Sequence, residues 1–316
     1  MSKSNLLVFG ATGAIGTYII AAIVHAKDSF GRIAVFTSPN TLSTKATEIN
    51  ALRENGVQII TGDVTKKEDV VAAFEGIDTI VSALGRGVIA AQIDLLKWAA
   101  ETPTIKRFLP SEYGTDIEYG PASATERPHQ QKLKVRAALR EVKEEDLEYA
   151  YVVTGPYADV PFFLGASKSP RGGAFDVKAR KAVLLGDGKG RISLSACADV
   201  GKFAVHTLTH WEQAKGRALK LNSFTATPDE ILAEFEKQTG EKWEVEYTSL
   251  PQLRAFEEEA WAKGEPDATG LTLRRIWTEG GTLYEKRDNA DIGAEDTVTL
   301  AEAVKESIRA QLSASL

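Results

Sequence analysis

Leu6-Leu7-Val8-Phe9-Gly10-Ala11-Thr12-Gly13-Ala14-Ile15-Gly16 decides the fold of this chain: four apolar residues of strand character run into glycines spaced GxxGxxG, and a helical pattern follows at once. Strand, glycine turn and helix in that order form the phosphate-binding corner of a dinucleotide pocket. Gly10 takes the backbone angles of a tight turn, Gly13 leaves bare main chain for a pyrophosphate, and Gly16 lets the helix from Gly13 to about Ala26 lie close to the strand. The N–H groups at that helix start then face the phosphates, with Ala11, Thr12, Ala14 and Ile15 completing the turn.

Outward from this corner the same unit repeats. Arg32–Phe36, Val57–Thr61, Asp78–Val81, Arg107–Leu109 and Tyr149–Val153 read as strands, separated by helical patterns at Leu42–Glu54, Lys66–Phe74, Val88–Ala99 and Arg127–Lys143. This alternation predicts an α/β fold: a doubly wound parallel sheet of the Rossmann type with helices on both faces and the ligand beyond the carboxyl ends of the strands. After about Gly155 the rhythm changes. Pro and Gly cluster over Lys168-Ser169-Pro170-Arg171-Gly172-Gly173, and Lys181–Leu185 and Ile192–Leu194 flank a glycine-rich turn at 186–190. A helix over Ala198–Leu208 follows, then a strand at Ala218–Asn222, and helices begin at Thr227, near Leu250 and at Thr299. The expected division is a dinucleotide-binding domain over 1–155 and a smaller α+β substrate lobe over 156–316, with residues about 195–222 returning to the first domain.

Composition narrows the function classes. With 316 residues, 43% hydrophobic, the chain can bury a large core, and its formal charge of -6 without a Lys/Arg block argues against a nucleic-acid partner. The sequence offers no apolar run of membrane-span length, and the first strand begins too early for a cleavable leader; a soluble, cytoplasmic protein, monomer or homodimer, is expected. Cys197 is the single cysteine, so no intramolecular disulfide forms, and it reads as a small buried hydrophobe. His206 and His210 stand at i, i+4 but lack the glutamate of HExxH and a third ligand, so no metal site is expected.

The second strand ends Phe36-Thr37-Ser38-Pro39-Asn40 without the acid that binds the ribose hydroxyls of NAD. Thr37, Ser38 and Asn40 can donate to a 2′-phosphate and Lys45 can reach one, so NADP(H) is preferred over NAD(H); the alternative is a polar turn and a solvated lysine. Asp63, after the third strand, either recognises an adenine amino group or caps a helix. Ser82, Ala83 and Leu84 end the fourth strand with small residues that let backbone lie against the cofactor, and Gly155 and Pro156 close the sixth.

Strand five leads into Leu109-Pro110-Ser111-Glu112-Tyr113-Gly114, a polar cluster at the catalytic edge of the sheet. With GATGAIG on strand one, RFLPSEYG on strand five and KLKVR at 132–136, residues 5–160 resemble the isoflavone reductase-like family, which lies beside the NmrA-like proteins among the atypical short-chain dehydrogenases. That family includes phenylcoumaran benzylic ether and pinoresinol–lariciresinol reductases. The resemblance implies an NADPH-dependent reductase acting on an aromatic or phenolic small molecule, with a catalytic lysine at Lys132 while Lys134 points away. A lysine beside a nicotinamide can bind ribose hydroxyls and serve as general acid or base. YxxxK is absent: Ile117 follows four residues after Tyr113 and Pro161 four after Tyr157, which fits the atypical branch. Three positions depart from the family pattern: Ser38 replaces an arginine, His129 replaces an aromatic three residues before the lysine, and Thr154-Gly155-Pro156-Tyr157-Ala158-Asp159 differs from the plant enzymes. His129 either contacts substrate or lies on the surface; Glu112, Tyr113, Tyr157 and Phe162 are the remaining substrate-binding candidates, with packing between lobes the alternative for the last two and Phe163. A non-catalytic NAD(P)-sensing regulator of the NmrA-like type is the competing function, and Lys132 argues for the enzyme.

Overall fold

The computed structural model describes residues 3–159, 162–167 and 170–313; Pro161, Lys168 and Ser169, quoted above from the sequence, lie outside them. Six parallel strands, β1 (Leu6–Phe9), β2 (Ile33–Thr37), β3 (Gln58–Thr61), β4 (Thr79–Ser82), β5 (Arg107–Leu109) and β6 (Glu148–Tyr149), lie in the order β3-β2-β1-β4-β5-β6. β1 is central, with Val8 opposite Val35 on one side and Val81 on the other. All four of its residues are buried, and the period of two divides them between cores. Leu6 and Val8 face Ile19 and Ile23 of α1 (Gly16–His25), whereas Leu7 and Phe9 join Phe74, Leu95 and Leu139 on the opposite face.

Between the strands lie α2 (Pro39–Thr44), α3 (Ala46–Glu54), α4 (Lys67–Ala72), α5 (Gln92–Ala100) and α6 (Gln130–Glu141). Four expected elements are divided, the helix read at 88–99 among them, which opens as a 3-10 turn over Arg86–Ala91 before α5. The helix read at 42–54 starts earlier, because Ser38 caps Pro39 at the first turn, and it breaks at Lys45, whose φ -124 and ψ 40 leave the helical region. The helix read from Arg127 begins at Gln130, after a tight turn imposed by Pro128. The sixth strand splits around Ala150: Glu148 and Tyr149 pair with β5, and β7 (Tyr151–Val153) pairs with a later strand instead.

In the second half, β8 (Ala174–Asp176), β9 (Lys181–Leu185) and a strand at 244–248 form a three-stranded sheet, and β10 (Ile192–Leu194) pairs antiparallel with a strand at 224–226. The chain then returns to the main layer. α7 (Cys197–Thr209) packs on α1 so closely that a Cβ on Gly201 would lie 2.3 Å from the Tyr18 carbonyl oxygen. α8 (Trp211–Ala214) and β11 (Ala218–Lys220) follow, with β11 parallel to β7. β12 (Phe224–Ala226), α9 (Pro228–Thr239), β13 (Glu244–Thr248), α10 (Leu250–Lys263), α11 (Ala268–Thr278) and α12 (Leu300–Ser313) complete the chain. Thr227 opens α9 with a capping box to Glu230, which accounts for the sharp helix start there. Among the described residues no helix is long and apolar enough to cross a membrane.

Candidate active site

The glycine turn presents backbone, not side chain, to the cleft. Gly10 has φ +76, and a Cβ on it would sit 2.4 Å from the Ala83 carbonyl oxygen. A Cβ on Gly16 would lie 2.0 Å from the Gly10 carbonyl oxygen, so the helix can start here only without one. Gly13 differs: its N–H closes the turn on the Gly10 carbonyl at 2.9 Å, but a Cβ would lie 3.2 Å from that oxygen and otherwise project into the cleft. The main-chain N–H groups of Ala14 and Ile15, ahead of α1, have no acceptor among the described residues. A cradle lacking three Cβ atoms, with free N–H donors at the end of a helix dipole, suits a pyrophosphate.

Two hollows diverge from this turn, and Leu84 lines both. The first, about 860 Å³, runs over the ends of β1, β2 and β3 past Gly10, Ala11, Thr12, Thr37, Ser38, Asn40 and Asp63. Several side chains here have local duties. Ser38 Oγ accepts the Thr41 N–H at 3.1 Å as the cap of α2. Lys45 does not line the hollow; its ammonium donates to the Thr12 carbonyl and ties α2 to the glycine turn. Asp63 accepts from the Thr65 N–H at 2.9 Å and its hydroxyl at 2.7 Å, so these bonds hold its carboxyl below the usual range and it acts as a turn cap while lining the hollow. Ser82, read from the sequence as a cofactor neighbour, lines neither hollow: it is fully buried at the end of β4, and Ala83 and Leu84 line the second hollow in its place.

The second hollow, about 360 Å³, lies beyond Gly13, Ala14 and Ile15 and contains the polar cluster after β5. Lys132, on the first turn of α6, enters it, and its ammonium donates to the Glu112 carbonyl. Burial pushes this lysine down to about 8 against the pull of Glu112, and Arg86 and Arg136 act in the same direction as burial. A lysine titrating there can exchange a proton near neutral pH. Lys134 is exposed, as its helical phase requires.

Glu112 serves this site through its backbone. Its carboxylate turns away from the hollow to the buried Arg136, with Nε–Oε1 3.2 Å and Nη2–Oε2 3.1 Å, which corrects its reading as a substrate ligand. Arg136 also reaches Asp116 at 3.5 Å and Glu118 at 2.8 Å and lies 4.5 Å over the Tyr151 ring. This buried clamp fixes the strand-to-loop turn that presents the Glu112 carbonyl. His129 is buried at the N-terminus of α6 and lines the hollow, not the protein surface, and neither of its ring nitrogens has a hydrogen-bond partner of good geometry. Burial pushes it down to about 4, against Ser123 and Glu126 and with Lys132 and Arg86, so the ring is neutral at pH 7.

Tyr157 donates its hydroxyl to the Tyr113 carbonyl and therefore offers the hollow a ring rather than a free phenol. Burial raises both the Tyr113 and Tyr157 phenols well above their ordinary value, which removes either as a phenolate base. Phe162 packs edge-on to Tyr157 at 5.3 Å, while Phe163 turns away to Trp277. Gly155, held at φ +67 against the Ser193 carbonyl, and Pro156 form the floor. The far wall comes from α11, whose Leu273 and Trp277 carried no signal in the sequence. Trp277 Nε1 donates to Thr115 Oγ1 at 2.9 Å, joining that wall to the loop after β5. Arg86 and Ile89 from the loop after β4 also line the hollow.

The remaining candidates are occupied by structure. Cys197 is buried and burial raises its thiol far above the ordinary value. His206 and His210 stack at 5.9 Å with their Nδ1 atoms on the Ile292 and His206 carbonyls, and among the described residues no three His, Cys, Asp or Glu side chains converge on a metal position.

A family model described as "NmrA-like family" matches residues 2–263. An isoflavone reductase of Pisum sativum is 30% identical over 264 residues, covering 80% of this chain and 81% of its own. A phenylcoumaran benzylic ether reductase of Ginkgo biloba is 29% identical over 260 residues, covering 80% and 81%. Among solved structures, leucoanthocyanidin reductase from Vitis vinifera in a binary complex with NADPH superposes with a TM-score of 0.79 at 22% identity, covering 97% of this chain and 100% of that one. An isoflavone reductase crystal structure gives 0.75 at 24% identity, covering 96% and 99%.

Proposed function

Because the chain belongs to the NmrA-like family, we propose that it is an NADPH-dependent reductase of the isoflavone reductase-like type, acting on an aromatic or phenolic small molecule. Its relatives are named as reductases, and the structures similar to it include NADPH and NADP+ complexes. The reading rests on one observation: Lys132, pushed down to about 8, stands in a largely apolar hollow that opens directly from the glycine turn.

When bound, the reduced nicotinamide supplies a hydride. The Ala14 and Ile15 N–H groups and the bare Gly13 backbone would hold the pyrophosphate, and the hollow bounded by Thr37, Ser38, Asn40 and Asp63 would hold the adenosine half. Ser38 and Asn40 stand at the end of β2 without a carboxylate beside them, which supports NADP(H) over NAD(H). Leu273, Trp277, Tyr157 and Phe162 exclude water and flank a flat ring. Lys132 holds or delivers a proton at Nζ, anchored by the Glu112 carbonyl.

Calorimetric titration with NADPH and NADH, followed by turnover on a panel of phenolic, enone and benzylic ether compounds, tests this reading. NADPH binding with turnover that Lys132→Ala abolishes is the expected result. Normal NADPH binding, no turnover on any class and recovery of a protein partner by the wild-type chain would establish the sensor reading in its place.

A further inference from the structure

The second hollow is electropositive and has no free acid. Its lining includes two cationic side chains, Arg86 and Lys132, and a single carboxylic acid, Glu112. That one acid is already neutralised by two bonds to Arg136 behind the wall. Lys132 is satisfied by a main-chain carbonyl, but Arg86 has no acid within salt-bridge distance among the described residues, and its single protein hydrogen bond is to the Pro128 carbonyl at 3.3 Å. That contact holds the guanidinium beside His129, the residue after Pro128.

His129 supplies the second, independent observation. It is 2% exposed, lines the same hollow, and both ring nitrogens lack a protein partner of good geometry. A buried polar ring of this kind costs stability unless a ligand completes it. Together the two groups present several N–H donors of a guanidinium and one of a neutral imidazole, beside a wall of Ile89, Tyr157, Leu273 and Trp277. An anion matches this excess of donors over acids better than a neutral acceptor does, and a carboxylate matches the fork of the guanidinium.

Resting on the reductase reading above, we infer that the substrate is an aromatic acid, whose ring lies against the Leu273–Trp277 wall and whose carboxylate is taken by Arg86 with His129 beside it. Arg86 is therefore a specificity-determining residue, and Lys132 remains the proton-handling group. A neutral phenolic of the same size would leave the guanidinium facing an apolar ring and the imidazole unpaired, at a cost in affinity.

The test uses cinnamate and cinnamamide, which share ring, length and apolar area and differ in charge, titrated by calorimetry into the full chain saturated with NADP+. Cinnamate binding about tenfold tighter than cinnamamide is expected, the scale of one charge-assisted hydrogen bond. Arg86→Gln should close most of that gap and Arg86→Lys should retain part of it; His129→Phe should narrow it further. Equal affinity for the two probes, or a gap that survives Arg86→Gln, overturns the proposal. A separate NADPH titration of Arg86→Gln distinguishes the other source of negative charge: a large loss there assigns Arg86 to the cofactor phosphates and also overturns it. Failure of the wild-type chain to bind NADPH would overturn the reductase reading and this inference with it, whereas normal NADPH binding with equal probe affinities overturns this inference alone.

Discussion

Arg136→Met removes the cation at the centre of the clamp behind the active site while keeping much of the volume. Arg136 and Glu112 are 1% and 2% exposed, so neither charge can turn to water when its partner is lost. The three acids around Arg136 do not suffer equally. Asp116 keeps Lys220 at 3.5 Å and Glu118 keeps Arg140 at 2.6 Å, but Glu112 has no other side-chain salt bridge among the described residues. Leaving one buried charge unpaired costs about 3–5 kcal/mol, and the nearby Lys132 charge places this case toward the low end, about 3 kcal/mol. At about 2–4 °C per kcal/mol, the midpoint of thermal unfolding should fall by roughly 6–12 °C. Arg136→Met/Glu112→Leu removes the stranded carboxylate and should recover to within about 1 kcal/mol of the wild type, giving a coupling energy in a double-mutant cycle of at least about 2 kcal/mol in magnitude. Urea denaturation of the four proteins at pH 7 measures it. A single-variant cost below about 1 kcal/mol, or a double variant no more stable than Arg136→Met, would refute the claim that this arginine exists chiefly to neutralise Glu112.

The other predictions concern the ligand-facing side. Gly13→Ala places a Cβ in the cleft with one tight contact at 3.2 Å, so the fold should hold to within about 1 kcal/mol while NADPH affinity falls at least about tenfold by calorimetry; Gly16→Ala, at 2.0 Å from a carbonyl oxygen, should instead collapse the thermal midpoint. Unchanged affinity in Gly13→Ala would remove the pyrophosphate from this turn. Lys132 has a folded-state value of about 8 against an ordinary 10.5, so the folded state binds fewer protons than the unfolded one and the lysine destabilises the protein below pH 8, a penalty that fades as pH rises toward 10.5. Lys132→Met should therefore be more stable than the wild type at pH 7, with the advantage shrinking between pH 8 and 10.5; an advantage independent of pH would contradict the burial of its ammonium. Ser38→Arg should shift binding toward NADPH over NADH about tenfold while lowering stability by about 0.5–2 kcal/mol through loss of the α2 cap; a variant with unchanged cofactor ratio would place the 2′-phosphate away from this residue.

The parallel half of the fold was legible because its signals are local. An apolar strand, a glycine turn and an amphipathic helix each follow from a few adjacent residues, and β1 through β5 lie where their apolar runs do. The sixth strand shows where local reading stops. Tyr149–Val153 reads as one strand, yet its two ends pair with different neighbours, Glu148–Tyr149 with β5 and Tyr151–Val153 with β11, and that choice is made by contacts almost seventy residues apart. β13 escaped for the opposite reason: its Glu244 and Glu246 are exposed edge residues that pair with Lys181, so the strand carries the polarity of a loop.

Within the active site the same contrast separates position from role. The glycines were read from their spacing and Lys132 from the family resemblance, and both line the hollows because turn geometry and helix phase constrain which way they face. Glu112 was found for the wrong role, since sequence can put a carboxylate at the end of a strand but not show that Arg136, on a helix more than twenty residues later, has already taken it. α11 gave no sign at all. It opens without a capping side chain, carries adjacent arginines, and acquires meaning only because Arg275 bonds Glu126 at 2.7 Å and Trp277 bonds Thr115, drawing the helix onto the hollow from the other end of the chain. The far wall of the hollow is thus held by polar contacts between residues about 150 apart, whereas the glycine turn closes on itself between Gly10, Gly13 and Gly16 and leans on Ala83 and Lys45 from the neighbouring strand and helix. Substitutions on α11 can reshape the hollow without touching the glycine turn, which is how one cofactor corner can serve many substrates.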